Sequence, residues 1–484
     1  MTLMTGDEYK ESLRKQKPVV YIFGEKIDNP VDHPLVIPSQ NAIAMTYDLA
    51  HDPQYEELMT ATSPFTGGKV NRFTHIYQGI DDMILKVKMA RILGQKTCTC
   101  FQRCTTMDTA NALFIATYEM DQKLGTEYHK RFLKFLREVQ EKDLDIGVAM
   151  TDVKGDRSLR PHEQADLDLY LHVVEEKSDG IVLRGAKSNQ SGSINCHYTF
   201  VAPTAAMRAE DKDYAVACAV PTDAEGIIHI YGRQSCDTRR LEDCKIDVGN
   251  YNYGAQETIM IFDNVFVPWE RVFLCGEYEF AGRIPLLFGA NHRPTYGGCK
   301  AGLSDVLIGA VMLLAEYNGL DKFPHIREKI VEMVQLTETI YSCGLAAGLE
   351  GQKMASGSYF YNMPLGNVCK LNVAQLPFEM ARRAVDISGG LLGTVVSEKE
   401  LRHPVIGKYV ERFLKGKPGI PTEYKMRIIY LIQNLLFGAN STGYVVESVH
   451  GAAPPQAQKS TLFRLIDWEA KKKMAKEIAG IKDN

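Results

Sequence analysis

Apolar positions along the chain change their period twice. Up to about residue 145 they recur at three- and four-residue steps, as in DDMILKVKMARILG, MDTANALFIATYEMDQKLG and YHKRFLKFLREVQEKD, which predicts amphipathic helices. From about 146 the runs shorten and fill with Val, Ile, Phe and Tyr between Gly, Asp and Asn turns. GIVLRGAK, TFVAPTAAM, DYAVACAVP, GIIHIYG and ETIMIFDNVFVP therefore read as strands. After about 285 the helical period returns in DVLIGAVMLLAEYNGL, FPHIREKIVEMVQLTETIYSCGLAAGLEG, FEMARRAVDISGGLLG and MRIIYLIQNLLFGA. The predicted class is α+β, with a helical unit over 1–145, a β unit over 146–284 and a helical bundle over 285–484. The longest apolar run, VLIGAVMLLA at 306–315, is about half the ~20 residues that a membrane-spanning helix needs, so it is expected to be a core helix.

Composition narrows the partners. Over 484 residues, 45% are hydrophobic and 24% charged, enough apolar surface for a packed core without disulfides. A formal charge of −4 gives no reason to expect nucleic acid or an anionic membrane as a partner. The start, MTLMTGDEYKESLRKQK, lacks the apolar core of a signal peptide, and the 11 cysteines are scattered rather than framed. Both features predict a cytoplasmic protein with reduced thiols.

Two segments concentrate the chemistry. In CTCFQRCTTMD, Cys100 and Cys104 stand four apart, so a helical segment would project both from one face about 5–6 Å apart at Cβ. In NHRPTYGGCK, a Pro and two adjacent glycines predict a tight loop carrying His292 and Cys299 to a common centre. Three thiolates and an imidazole suit zinc or an iron–sulfur cluster, and spacing does not choose between them. Free Cys also serves as a small buried hydrophobe, the competing reading of the same residues. Cys98 falls off the shared face and is expected to be a spare thiol.

A flavin segment is the second candidate. Met150 and Thr151 lead into Asp152, Lys154, Gly155, Asp156 and Arg157, a turn whose backbone N–H groups and cations suit phosphate or an isoalloxazine edge. Gln190, Ser191 and Ser193 supply hydroxyl and amide groups in a predicted hairpin, where such residues are also ordinary turn formers.

The layout is similar to the acyl-CoA dehydrogenase fold, with FDNVFVPWERVF at 262–273 like the strand that leads into its last domain. AMTDVKGDR, RGAKSNQSGSIN, GRQSCDTR, YGAQET and YGGCK, with the Cys and His spacings, resemble the 4-hydroxybutyryl-CoA dehydratase family over nearly the whole chain. The resemblance implies FAD, a four-iron four-sulfur cluster on Cys100, Cys104, His292 and Cys299, and a cytoplasmic homotetramer working anaerobically on a CoA thioester. It implies dehydration of 4-hydroxybutyryl-CoA to crotonyl-CoA by a radical route, with vinylacetyl-CoA Δ-isomerase activity. Glu257, Tyr296, Lys300, Glu447 and His292 fall at its catalytic positions, and Arg91, Tyr296 and Lys300 at substrate positions. Ser191 stands where the family has Thr, keeping the hydroxyl and losing a methyl. His450 reads instead as a helix-end histidine. The flavin-dependent 4-hydroxyphenylacetate hydroxylases share the fold without the Cys and His set, so an aromatic monooxygenase is the alternative.

Overall fold

The computed structural model describes residues 3–237, 239, 245–247 and 251–481; Cys244, and Thr238 within GRQSCDTR, lie outside the described residues. The predicted helices form at Ile80–Thr97, Cys104–Leu124 and Tyr128–Glu141, and the later ones at Pro324–Leu349, Leu376–Ser388 and Thr422–Leu436. The predicted strands form as well. Ile146–Ala149, Tyr198–Val201, Val216–Pro221 and Val272–Cys275 make one four-stranded sheet. Gly180–Ser191, Ile227–Tyr231 and Glu257–Pro268 enter a six-stranded sheet. Ile181, Leu183, Met260 and Phe262 from the larger sheet pack on Val216, Cys218 and Val220 from the smaller, which buries one face of each.

The N-terminal region is less purely helical than its periodicity suggests. Val19–Ile22 and Glu25–Ile27 join the six-stranded sheet, Val19 pairing in parallel with Ile228. These strands are four and three residues long, too short for a period to register.

The larger difference concerns HRPTYGG. No turn forms there: the segment lies inside one 35-residue helix, Arg283–Tyr317. Its glycines serve close packing rather than chain reversal. A Cβ on Gly298 would stand 2.3 Å from the Val87 carbonyl oxygen, and one on Gly302 would stand 2.2 Å from that of Arg91. From the other side, a Cβ on Gly94 would meet the Cys299 oxygen at 2.5 Å. The helices Ile80–Thr97 and Arg283–Tyr317 thus touch backbone to backbone, which only glycine permits. Helix propensity loses about 1 kcal/mol per glycine, and tertiary contact overrides it.

Among the described residues this helix alone is long and apolar enough to cross a membrane, by length and composition. It is the core helix that VLIGAVMLLA predicts, with 67% of its most apolar window buried and helices 80–97, 104–124, 324–349 and 363–373 packed around it. The stripe of MRIIYLIQNLLFGA is also buried within the chain, through Met426, Ile429, Ile432 and Leu435.

Candidate active site

Because HRPTYGG is helical, His292, Tyr296, Cys299 and Lys300 share one face of the long helix, at steps of four, seven and eight residues. Cys104 opens the helix Cys104–Leu124, while Cys100 lies in the irregular connector before it, so the expected single helical face for the two does not exist. Cys98 ends the preceding helix in the left-handed region at φ 50°, and Gln102 repeats that conformation at φ 62°. Side chains then pin the connector: Thr99 donates to Asn440 Oδ1 at 2.9 Å and Gln102 to the Ser39 carbonyl at 3.1 Å. Gly443, in a short π-helix over Thr442–Val446, lets that segment close in, since a Cβ there would sit 3.0 Å from the Cys100 nitrogen. A π-helical turn often marks a functional site.

The three thiols are electrostatic neighbours of one another. Burial drives all three above the ordinary thiol range, Cys299 to about 11, with Lys300 opposing at Cys100 and Cys299 and Lys86 at Cys104. A metal centre would reverse that, since it binds thiolates and compensates their charge. Cys98 has its thiol pushed up to about 12 by burial and is a neighbour of Tyr444.

Around the thiols stand the predicted acids and bases. Tyr296 is held far above the usual phenol range, by burial first and then by Glu447 and the thiols, so it stays a neutral hydrogen-bond donor. Its hydroxyl abuts Gly451, where a Cβ would fall 1.9 Å away. Lys300 donates to the Gly443 carbonyl and, at 2.8 Å, to Glu447 Oε2. Burial alone would lower its value, but Glu447 and the thiols raise it, which keeps it an ammonium. Glu257 lies directly opposite Ser191 across an antiparallel pair, and Ser191 donates to its Oε1. Burial, then Glu447, pushes Glu257 up to about 8. Among the described residues, Glu257 Oε2 and Glu447 Oε1 are both buried without a hydrogen-bond partner. Such orphaned oxygens, beside a set of soft donors, fit a centre that receives further polar ligands.

His292 stacks on Phe288 and meets Tyr296 edge-on, and its Nδ1 lies 2.7 Å from Asp108 Oδ2. Asp108 and its ion-pair partner Lys86 were not read from the sequence. The one available signal was that Asp108 follows Cys104 by four on a helix. Lys370, also missed, is buried above the Tyr296 ring at 4.5 Å and pushed down to about 7 by burial and by Lys300.

Other expected residues lie elsewhere. Arg91 is paired with Asp305 at 2.9 Å and Glu338 at 2.6 Å and stacks over Tyr341. Ser193 is wholly buried, its hydroxyl engaged by Thr258 at 2.6 Å and His229 at 3.1 Å. Lys187 ties Asp152 at 2.5 Å to the Met150 carbonyl at 3.0 Å, and Gln190 donates to the Thr151 carbonyl at 3.1 Å. Lys154, Gly155, Asp156 and Arg157 form an exposed turn, with Gly155 at φ 51°. His450 is exposed at the end of the helix Glu447–His450. Among the described residues, no three His, Cys, Asp or Glu side chains converge closely enough to hold a single metal ion.

Comparison with known proteins identifies the scaffold. Residues 5–274 match the family model described as 4-hydroxyphenylacetate 3-hydroxylase N terminal, and 281–480 the C-terminal model of the same name. A 4-hydroxybutyryl-CoA dehydratase/vinylacetyl-CoA-Δ-isomerase of Clostridium aminobutyricum is 51% identical, over 99% of this chain and 100% of that protein. The structure of an oxygen-tolerant archaeal 4-hydroxybutyryl-CoA dehydratase from N. maritimus superposes with a TM-score of 0.97 at 49% identity, covering 100% of this chain and 96% of that one. The aromatic hydroxylases are more distant: the oxygenase component of a 4-hydroxyphenylacetate 3-monooxygenase complexed with FAD shares the fold at TM-score 0.87 and 22% identity, over 98% of each chain. Full-length identity near one half sets this chain apart from those hydroxylases: it belongs to the 4-hydroxybutyryl-CoA dehydratase/vinylacetyl-CoA-Δ-isomerase family.

Proposed function

We infer that the chain converts 4-hydroxybutyryl-CoA to crotonyl-CoA and shifts the double bond of vinylacetyl-CoA. The observation that carries this reading is the 51% identity over the whole length to an enzyme of that name. The aromatic monooxygenase alternative rests only on distant relatives, such as the 26%-identical oxygenase component of Thermus thermophilus.

Dehydration must remove a β-hydrogen that the thioester does not acidify and expel a hydroxide that leaves poorly. Bound FAD supplies the electron transfer that acid–base groups lack, and a four-iron four-sulfur cluster supplies a Lewis acid for the departing hydroxyl. Cys100, Cys104, Cys299 and His292 are the residues that would hold that cluster. One ion needs donor atoms about 2.0–2.3 Å from its centre, and the described side chains offer no such convergence. A cluster spreads its ligands wider, and the donor chemistry suits it.

The chain's own groups handle protons. Glu257, held near 8, exchanges a proton close to neutral pH, where general acid–base catalysis is most effective. Glu447 is steadied through Oε2 by Lys300, and its Oε1 finds no partner among the described residues. Tyr296 and Lys300 are donors for oxygen atoms of the substrate. The isomerisation needs only proton transfers, so the same pair of carboxylates suffices. The exposed turn Lys154–Arg157, with Met150, Thr151, Asp152, Gln190, Ser191 and Ser193, supplies the flavin contacts in this reading.

The acyl-CoA dehydrogenase-like division at 145 and 284, a cytoplasmic location, anaerobic operation and a homotetramer complete the proposal. Assembly has support in the C-terminal helices Pro455–Leu465 and Trp468–Ile478, where Phe463, Trp468, Met474 and Ile478 are exposed. One experiment tests the reading: iron, flavin and dehydration of 4-hydroxybutyryl-CoA measured on the same anaerobic preparation. Both cofactors and turnover are expected, and sedimentation of that sample should show a tetramer. Flavin with no iron and no dehydration would overturn it.

A further inference from the structure

The long helix places His292 beside a buried charge pair that no step above uses. Asp108 and Lys86 are both wholly inaccessible to solvent, and they form an ion pair. Four donors surround the Asp108 carboxylate. Lys86 Nζ and Tyr77 Oη, at 3.3 Å, reach Oδ1; Thr295 Oγ1, at 3.2 Å, and His292 Nδ1, at 2.7 Å, reach Oδ2. An ionised carboxylate only accepts, so the His292 nitrogen facing it carries the hydrogen, and in the neutral imidazole that leaves the lone pair on Nε2. Lys86 also donates to the carbonyl of Asn291, one residue before His292, at 2.6 Å. The pair thus fixes the imidazole at its ring and at its backbone. The rings of Tyr361, 4.8 Å from the ammonium, and Tyr77, at 5.5 Å, enclose Lys86. A buried ion pair gains little stability over apolar side chains of the same volume. What apolar residues could not do is fix a hydrogen on Nδ1.

We propose that Asp108, held by Lys86, is the positioning residue of His292: it selects the tautomer and the ring orientation that present Nε2 to iron. The inference rests on the cluster reading above. A carboxylate behind a metal-bound histidine typically changes metal affinity or activity by about 10–100-fold when removed.

The test is a double-mutant cycle on the anaerobic, flavin-loaded enzyme, combining Asp108→Asn with His292→Cys. In the wild-type background, Asp108→Asn is expected to shift the Mössbauer signal of one iron site and to lower kcat by roughly 10–100-fold with little change in KM. In the His292→Cys background, which has no imidazole to position, Asp108→Asn should leave cluster spectrum and iron content unchanged. Equal iron loss in both backgrounds would mean a merely structural role and overturn the proposal, as would a wild-type spectrum and kcat in the single variant. If Asp108→Asn retains no flavin, Thr295→Val decides instead, since it removes only one donor from Asp108. A smaller shift of the same iron signal supports the proposal, and no shift overturns it. Iron-free wild-type enzyme would overturn the cluster reading and this inference together, whereas an iron-loaded wild type with an indifferent Asp108 sinks this inference alone.

Discussion

The thiol centre and the turn at Lys154–Arg157 are built in opposite ways. Around the thiols, two helices in backbone contact, a pinned connector and a π-helical turn enclose His292, Tyr296 and Lys300 almost completely. Lys154, Gly155, Asp156 and Arg157 are instead exposed, on a loop whose backbone is held by Tyr170, which donates to the Lys154 carbonyl at 2.9 Å, and by Gln164, which bonds Asp156 at 3.1 and 2.8 Å. A closed site of this kind tolerates almost no change in shape. An open one is finished by what binds to it, so single residues there matter less.

The largest effect should come from the closed side. Cys100→Ala, Cys104→Ala and Cys299→Ala are each expected to lose most of the iron and all dehydration, whereas Cys98→Ala keeps both. Iron analysis of the purified variants checks this, and a fully loaded Cys104→Ala protein would remove that residue from the ligand set. His292→Cys sharpens the same point, because it offers a thiolate but no imidazole. It should retain iron and lose dehydration under strict anaerobiosis; near wild-type turnover in a loaded variant would take His292 out of the mechanism.

The Glu257 carboxyl is buried near Glu447 and Lys300 and accepts a hydrogen bond from Ser191. Glu257→Gln is expected to lower turnover by about 10²–10⁴-fold. Its effect on stability has a defined sign. The folded value, about 8, lies above the ordinary 4.5, so the native protein holds a proton that the unfolded chain releases. The contribution is complete below about 4.5 and is lost as pH rises to about 8. Melting temperatures across that window should therefore shift in favour of the Gln variant towards high pH. A constant difference would show that Glu257 does not carry that proton.

Gly298→Ala probes the helix contact itself. The added methyl meets the Val87 carbonyl, and overpacking of this kind costs about 1–3 kcal/mol, so a lower melting temperature and partial iron loss should appear together. The smallest effects belong to the open side. Lys154→Ala or Arg157→Ala should weaken flavin retention only a few-fold, about 1 kcal/mol for exposed cations, and more at low salt than at high. Complete flavin loss from either would erase the contrast between the two regions.

Periodicity and residue type sufficed for the order of helices and strands, because each long segment writes its own burial pattern into the chain. The donor types were legible too, since soft ligands are few and stand out. The route by which they meet was not. HRPTYGG has turn composition, yet Gly297, Gly298 and Gly302 answer to neighbouring helices far away in sequence, and no local rule reveals such a contact. Cys100 and Cys104 have helical spacing, but a left-handed residue at Gln102, anchored on the Ser39 carbonyl, breaks the segment between them. Asp108 and Lys86 look like ordinary polar positions of amphipathic helices until packing buries both. By itself the sequence determined which groups are available for chemistry and which segments are helix or strand. Only the tertiary structure decided which groups share one dry space and which partner fixes each proton, because burial and long-range hydrogen bonds depend on distances the chain acquires only on folding.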